Sequence, residues 1–315
     1  MSVAAARLAG SGDLAQIAHD PLLPGTFTLA VAGAVQSHVD LGDPSSLFHD
    51  YVRRLGNAID RIRLPGEPLV VVHLGAGALT LARYVQATRP GSEQHVVELE
   101  ADLVPFVTEH LPLPSGTDLT LHPGDAADRV AALARPGILG GRADVVLADL
   151  YRGTTTPAHL TTSAFFADAA RLLAPEGVLA VNVADDDGLP ALRHQLTGLR
   201  EVFGCIVLLG PTRVLTDARA GNAVVLASHS PALLGWASAL RAAGPHPGLV
   251  ITADEFEPPE QARQEEAGPE QRGPEQRGPE QAAPAASAVP TAPAAPEQSE
   301  NRDTTGRPGR GEAGA

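Results

Sequence analysis

Seven short apolar runs organise the middle of this chain: Leu69–Leu74, His95–Leu99, Leu119–His122, Ala143–Asp149, Val178–Ala184, Ile206–Leu209 and Ala223–Ser228. Between them lie stretches such as LTLARYVQAT, LVPFVTEHL, AADRVAALA, TSAFFADAARLLA and LPALRHQLTGLREVF, whose apolar residues recur every three or four positions. Strand and amphipathic helix in alternation predict a parallel sheet covered on both faces, because parallel neighbours are joined only by crossovers that pack back onto the sheet. In LLAPEGVL, Pro175 and Gly177 predict the stop of one helix and the turn into the next strand. The final two runs are separated only by GPTRVLTDARAGN, which carries no helical pattern, so they read as an antiparallel pair.

A doubly wound α/β fold with a mostly parallel seven-stranded sheet and a terminal antiparallel hairpin is the class I methyltransferase type; ordinary dinucleotide folds keep the sheet parallel. The nucleoside-binding domain of this kind is expected over residues 63–250. Ahead of it, residues 23–62 read as a small β extension, with strands over Thr26 to Val39 broken by a turn at Gly33. A helix over Ser46 to Ile59, capped near Ser45, completes it. Residues 1–22 have a small-residue bias and are expected to be flexible. Residues 254–315 are crowded with Pro, Glu, Gln, Gly and Ala, and GPEQ recurs at Gly268, Gly273 and Gly278. So little apolar surface does not offset ordering entropy, and the tail is expected to be disordered.

Acids outnumber bases 37 to 23, for a formal net charge of −14, which argues against a nucleic-acid partner. Every basic residue other than histidine is arginine, so a lysine Schiff base is excluded. Cys205, the one cysteine, lies in the apolar run CIVLLG and reads as a small hydrophobe. No segment reaches the length of a membrane span, and the expectation is a cytoplasmic protein without membrane contact. His38, His49, His73, His95, His110 and His122 show no metal-ligand spacing, so no metal is expected. Asp185 to Asp187 read as a solvated turn, and no GxSxG elbow supports a hydrolase.

The run VVVHLGAGALTLARYV takes a strand through Gly75 and Gly77 into a helix, a geometry that lets a ligand approach backbone at a helix N-terminus. The third glycine of GxGxxG is absent. Three acids follow three successive strands: Glu98 in VVELE, where a carboxylate accepts from ribose hydroxyls; Asp125 in HPGDAADRV; and Asp149 in VVLADLYRG. Asp125 also reads as a helix N-cap. Together with the glycine turn they point to an adenosine-type ligand at the carboxyl edge of the sheet.

From Gly25 to about His229 the chain resembles the spermidine synthase (polyamine aminopropyltransferase) family of polyamine biosynthesis. The matching landmarks are AGAVQSHVDLGDPSSLFHDYV, HLGAGALTL, VVELE, GDAAD and VVLADLYRG. The resemblance implies decarboxylated S-adenosylmethionine as co-substrate, held by Gly75, Gly77, Gln36, Glu98 and Asp125. Asp149 would act on the reacting amine, and His49, Tyr151 and Arg152 would face the acceptor. It also implies a homodimer. Three positions depart from the family's pattern: its glycine-loop aspartate is Ala78, a tyrosine is Phe48, and the second acid after Asp149 is Arg152. Three functions therefore stand: aminopropyl transfer to an amine, methyl transfer from S-adenosylmethionine to another small acceptor, and a catalytically degenerate nucleoside-binding interaction protein.

Overall fold

The computed structural model describes residues 2–256 other than 22, 152 and 154, so Arg152 and the tail beyond 256 lie outside the described residues. Four strands form an antiparallel meander at the N-terminal end: β1 (Ser2–Arg7), β2 (Leu14–His19), β3 (Thr26–Val31) and β4 (Ala34–Asp40). The strand–turn–strand reading of β3 and β4 holds. The first 22 residues, expected to be flexible, instead carry β1 and β2, with β1 paired to β2 and β2 paired to β3. Alternate positions such as Ala15, Ile17 and Leu29 are fully buried, which gives this sheet an apolar face of its own. That face packs with Leu8, Val39, Ala78, Ala82, Leu103, Val104 and Val107.

Helix α1 (Asp50–Ile59) begins four residues later than the serines at 45 and 46 predict. The cause is local: Ser45 gives both its N–H and its hydroxyl to Asp43, at 3.1 and 2.5 Å, and is held in a turn instead of capping the helix.

The large sheet then builds up through β5 (Val70–Leu74), α2 (Thr80–Thr88), β6 (Glu93–Glu98), α3 (Leu103–His110), β7 (Asp118–Pro123), α4 (Ala126–Leu133), β8 (Ala143–Ala148), α5 (Ser163–Leu172) and β9 (Leu173–Asp185). These five strands pair in parallel. Next come α6 (Pro190–Arg200), β10 (Cys205–Pro211), α7 (Thr212–Leu215), β11 (Gly221–Ser228), α8 (Ala237–Ala243) and β12 (Gly248–Thr252). The spatial order is β12-β10-β11-β9-β8-β5-β6-β7, with β11 antiparallel to both β9 and β10.

The methyltransferase-type arrangement is thus present, with two differences from the sequence reading. The sheet has eight strands, because the short GLVIT segment adds β12 at the edge beside β10, and the loop between β10 and β11 holds the single turn α7. Pro175 and Gly177 do not separate helix from strand. They lie in a bulge within β9, where pairing with β8 jumps from Ala143–Leu173 to Val145–Val178. Apolar layers cover both faces of the sheet, one with Phe165, Phe166, Leu192 and Leu196, the other with Leu55, Ile59, Tyr84 and Leu240. Among the described residues no helix is long and apolar enough to cross a membrane.

Candidate functional site

The carboxyl ends of β5, β6 and β8 converge because the chain leaves each strand there and turns away. At β5 the turn needs glycine. Gly75 has φ +90°, and a Cβ on it would collide with the backbone carbonyl oxygen of Asp149. The approach is fixed by backbone bonds, Gly75 N–H to Val97 O at 2.9 Å and Asp149 N–H to Leu74 O at 3.0 Å. Gly77, with φ +48°, faces Ser37 of β4, whose hydroxyl would lie 2.5 Å from an added Cβ and accepts from the Ala78 N–H at 3.0 Å. The small sheet therefore holds the glycine turn in place. Ala78 itself is fully buried in the apolar cluster under that sheet, so the family's acid position is a packing position here.

Two cavities open from this edge. The first, about 500 Å³, is lined by the glycine turn, Glu98, Leu99, Leu103, Asp125, Leu150 and His159, and by Leu8, Ser11 and Asp13 from the β1–β2 hairpin. Glu98 accepts the Ala76 N–H on Oε2 and the Glu100 N–H on Oε1, both at 2.9 Å. Burial raises its carboxyl above the usual range, with the nearby Glu100 adding to the effect against the backbone donors. Each oxygen keeps a second acceptor site for a ligand hydroxyl. Asp125 caps α4 through the Ala127 N–H at 2.9 Å, as its sequence context predicts, and its Oδ2 lies 2.9 Å from His159 Nε2. Burial acts to raise Asp125, but the hydrogen bonds from His159 and the helix backbone outweigh it and hold it low.

The second cavity, about 420 Å³, is lined by Gln36, His38, Phe48, His49, Tyr51, His73, Asn182 and Asn222. The two cavities share the glycine turn, Gln36, Asp149 and Tyr151. Asp149 thus stands at their junction. Asn182 Nδ2 donates to its Oδ1 at 2.8 Å, Asn222 Nδ2 in turn donates to Asn182 Oδ1 at 3.0 Å, and the Tyr51 hydroxyl donates to the same Asp149 carboxylate. Desolvation raises Asp149 above the ordinary aspartate range in spite of those donors, and burial together with Asp149 raises Tyr51.

Gly75, Gly77, Gln36, Glu98, Asp125, Asp149, His49 and Tyr151 are all brought to this pair of cavities. The Tyr151 hydroxyl is already committed, donating to Asn182 O at 2.9 Å and accepting from Ala184 N–H at 2.5 Å, so it braces β9 and offers a ligand only its ring. Tyr51, Asn182, Asn222 and His73 were missed by sequence reasoning. A signal existed for two of them: Asn182 in VLAVNVAD and His73 in VVVHL are polar residues inside buried strands. His73 is held neutral, pushed down to about 4 by burial against its 3.0 Å hydrogen bond with Gln94.

No protein-family model matches the chain. A polyamine aminopropyltransferase of Vibrio vulnificus (strain CMCP6) is 27% identical over 138 residues, 44% of this chain and 44% of that protein, so the match spans less than half of the relative's length. Among solved structures, a probable spermidine synthase from Corynebacterium glutamicum ATCC 13032 superposes with a TM-score of 0.69 at 24% identity, covering 88% of this chain and 97% of its own. A spermidine synthase solved with the transition state analogue AdoDATO gives a TM-score of 0.54 at 14% identity over 73% of this chain and 74% of its own. At these identities the superpositions establish a common fold. The chain is thus similar to the spermidine synthase (polyamine aminopropyltransferase) family, in sequence over 44% of its length and in its methyltransferase-type fold over most of it.

Proposed function

We propose that this protein transfers the aminopropyl group of decarboxylated S-adenosylmethionine to an amine. The observation that carries the reading is Asp149, a carboxylate with a raised pKa at the junction of two cavities, one suited to a nucleoside and one to a second small molecule. The first cavity fits an adenosine group: glycine backbone at the β5 turn, Glu98 with acceptor sites for two ribose hydroxyls, and Leu99, Leu103 and Leu150 for the purine faces. Asp125 is available to an adenine amine once His159 yields Oδ2.

The acceptor nitrogen attacks the carbon beside the sulfonium, a C–N bond forms as the C–S bond breaks, and methylthioadenosine leaves with the sulfur electron pair. A protonated amine has no lone pair, so Asp149 receives hydrogen bonds from the amine and takes the proton released as the new bond forms. Its raised pKa brings it closer to the operating pH and makes it a better proton acceptor than an ordinary aspartate. Asn182 and Tyr51 fix its orientation. The test is methylthioadenosine release from the decarboxylated donor with a panel of amines, run beside S-adenosylmethionine with the same acceptors. Asp149→Asn should abolish release while retaining methylthioadenosine affinity. Methyl transfer from S-adenosylmethionine with no aminopropyl transfer would overturn the proposal.

A further inference from the structure

The turn between β1 and β2 stands at the first cavity, and its own bonds make it a rigid piece. The Leu8 N–H donates to Asp13 O and the Gly12 N–H to Leu8 O, both at 2.9 Å. The Asp13 N–H donates to Ser11 Oγ at 3.1 Å, and the Arg7 guanidinium donates to Gly12 O at 3.0 Å. Leu8, Ser11 and Asp13 of this turn line the cavity together with Glu98. Leu8 is buried and anchors the turn in the apolar cluster that holds Leu103 and Val104 of α3.

Two further N–H groups of the turn, those of Ala9 and Gly10, are taken by acids that follow Glu98 in the chain. Asp102 Oδ2 accepts from Ala9 at 2.9 Å, and Glu100 Oε2 accepts from Gly10 at 3.1 Å. Asp102 occupies the N-cap position of α3, where an aspartate ordinarily accepts from the first turn of its own helix and stabilises it by about 1 kcal/mol. It makes no such bond. Its Oδ1 has no hydrogen-bond partner among the described residues, and its Oδ2 reaches a residue 93 positions away. The side chain serves the hairpin instead of the helix. Glu100 joins the two sides, because its N–H donates to Glu98 Oε1 at 2.9 Å while its carboxylate holds Gly10. Residues 98–102 thus present Glu98 to the cavity and grip the turn that walls it.

We propose that Asp102 and Glu100 are positioning residues of the nucleoside site: they hold the β1–β2 turn in place as one of its walls, so that an N-terminal segment sets the affinity for the adenosine group. Asp102 does not itself line the cavity, so its effect on a ligand passes through the chain it holds. The inference rests on the nucleoside reading of the first cavity and is independent of the reaction.

The test is calorimetric titration of methylthioadenosine into the full chain and into Asp102→Ala, Asp102→Asn and Gly10→Ala. Hydrogen exchange over residues 8–13 is followed by mass spectrometry with and without the nucleoside. Asp102→Ala should weaken binding about fivefold or more, since a hydrogen bond to a charged group is lost from the wall. Asp102→Asn keeps an oxygen for the Ala9 N–H and should bind nearer to the parent. A Cβ on Gly10 would lie 2.7 Å from Glu100 Oε2 and push that carboxylate off the N–H, so Gly10→Ala should also weaken binding. Coupling is reciprocal, so methylthioadenosine should slow exchange over residues 8–13 in the parent and give less protection there in Asp102→Ala. A role confined to stability would lower Tm while leaving affinity and protection as in the parent, and that result overturns the inference. Binding to the parent without slower exchange at the turn overturns it too and leaves the nucleoside reading standing, whereas no binding by the parent overturns both.

Discussion

Gly75→Ala and Gly77→Ala separate two kinds of constraint in one turn. Both glycines have positive φ, but at Gly75 the obstacle is the backbone carbonyl of Asp149, whereas at Gly77 it is the hydroxyl of Ser37, a side chain able to rotate. Placing alanine in left-handed backbone costs about 1–2 kcal/mol. Forcing an extra methyl into a well-packed contact adds about 1–3 kcal/mol where the neighbour cannot yield. Gly75→Ala should therefore lose about 2–5 kcal/mol, and in a domain of this size each kcal/mol lowers Tm by about 2–4 °C, a fall of roughly 4–20 °C. Gly77→Ala should fall by no more than about half as much, because its φ lies in the region non-glycine residues do visit and Ser37 can move. Thermal unfolding by circular dichroism measures both, with methylthioadenosine titration alongside. Because the collision is with the residue that carries the carboxylate, Gly75→Ala should also weaken ligand binding and turnover. If Gly75→Ala melts within about 2 °C of the parent and keeps its affinity, the close approach of β5 and β8 is not what holds the site together.

Glu98→Gln should weaken methylthioadenosine binding by roughly 1.5–3 kcal/mol, since a charged acceptor for ligand hydroxyls is lost; unchanged affinity would put the ribose elsewhere. Asp149 has a folded-state pKa raised by burial, so the stability it contributes is full below its unfolded value and is lost as pH rises through the folded one. Asp149→Asn should accordingly gain in Tm relative to the parent as pH climbs through that window, while turnover collapses; a stability difference independent of pH would contradict the buried-carboxylate account. His159→Ala removes a partly exposed hydrogen-bonded contact worth about 1 kcal/mol or less, so Tm should hardly move, while Asp125 is released and methylthioadenosine should bind more tightly. Weaker binding would mean that His159 itself touches the ligand.

The legible part of the site is what sequence-local chemistry could reveal. Glu98, Asp125 and Asp149 each lie at or just past the end of an apolar run, and the edge of a doubly wound sheet follows from the order of the runs, so these acids could be placed together before any coordinates. Tyr51, Asn182 and Asn222 could not, because Tyr51 and Asn182 meet Asp149 from α1 and β9 while Asn222 holds Asn182 from β11, and only the tertiary fold brings those elements to one point. The β1 and β2 strands were illegible for another reason. SVAAAR and LAQIAH are rich in alanine, which carries little strand preference, and their conformation comes from pairing with β3 and from burial of Ala15 and Ile17. Ala78 shows the limit of reading a site from a resemblance: a position aligned with a ligand-facing acid is here inside the packing beneath the small sheet.

The place of β11 between β9 and β10 has a consequence for the chain as it is synthesised. On emerging from the ribosome, β9 has β8 on one side and nothing on the other, and β10 cannot take the empty place because β11 must fill it. An apolar strand edge therefore stays open until residues 221–228 have followed. Such an edge is a template for pairing with another nascent chain. The interval before β11 arrives is thus when this protein is most exposed to aggregation, and a pause in translation between β9 and β11 should lower the yield of folded molecules more than one placed after β12.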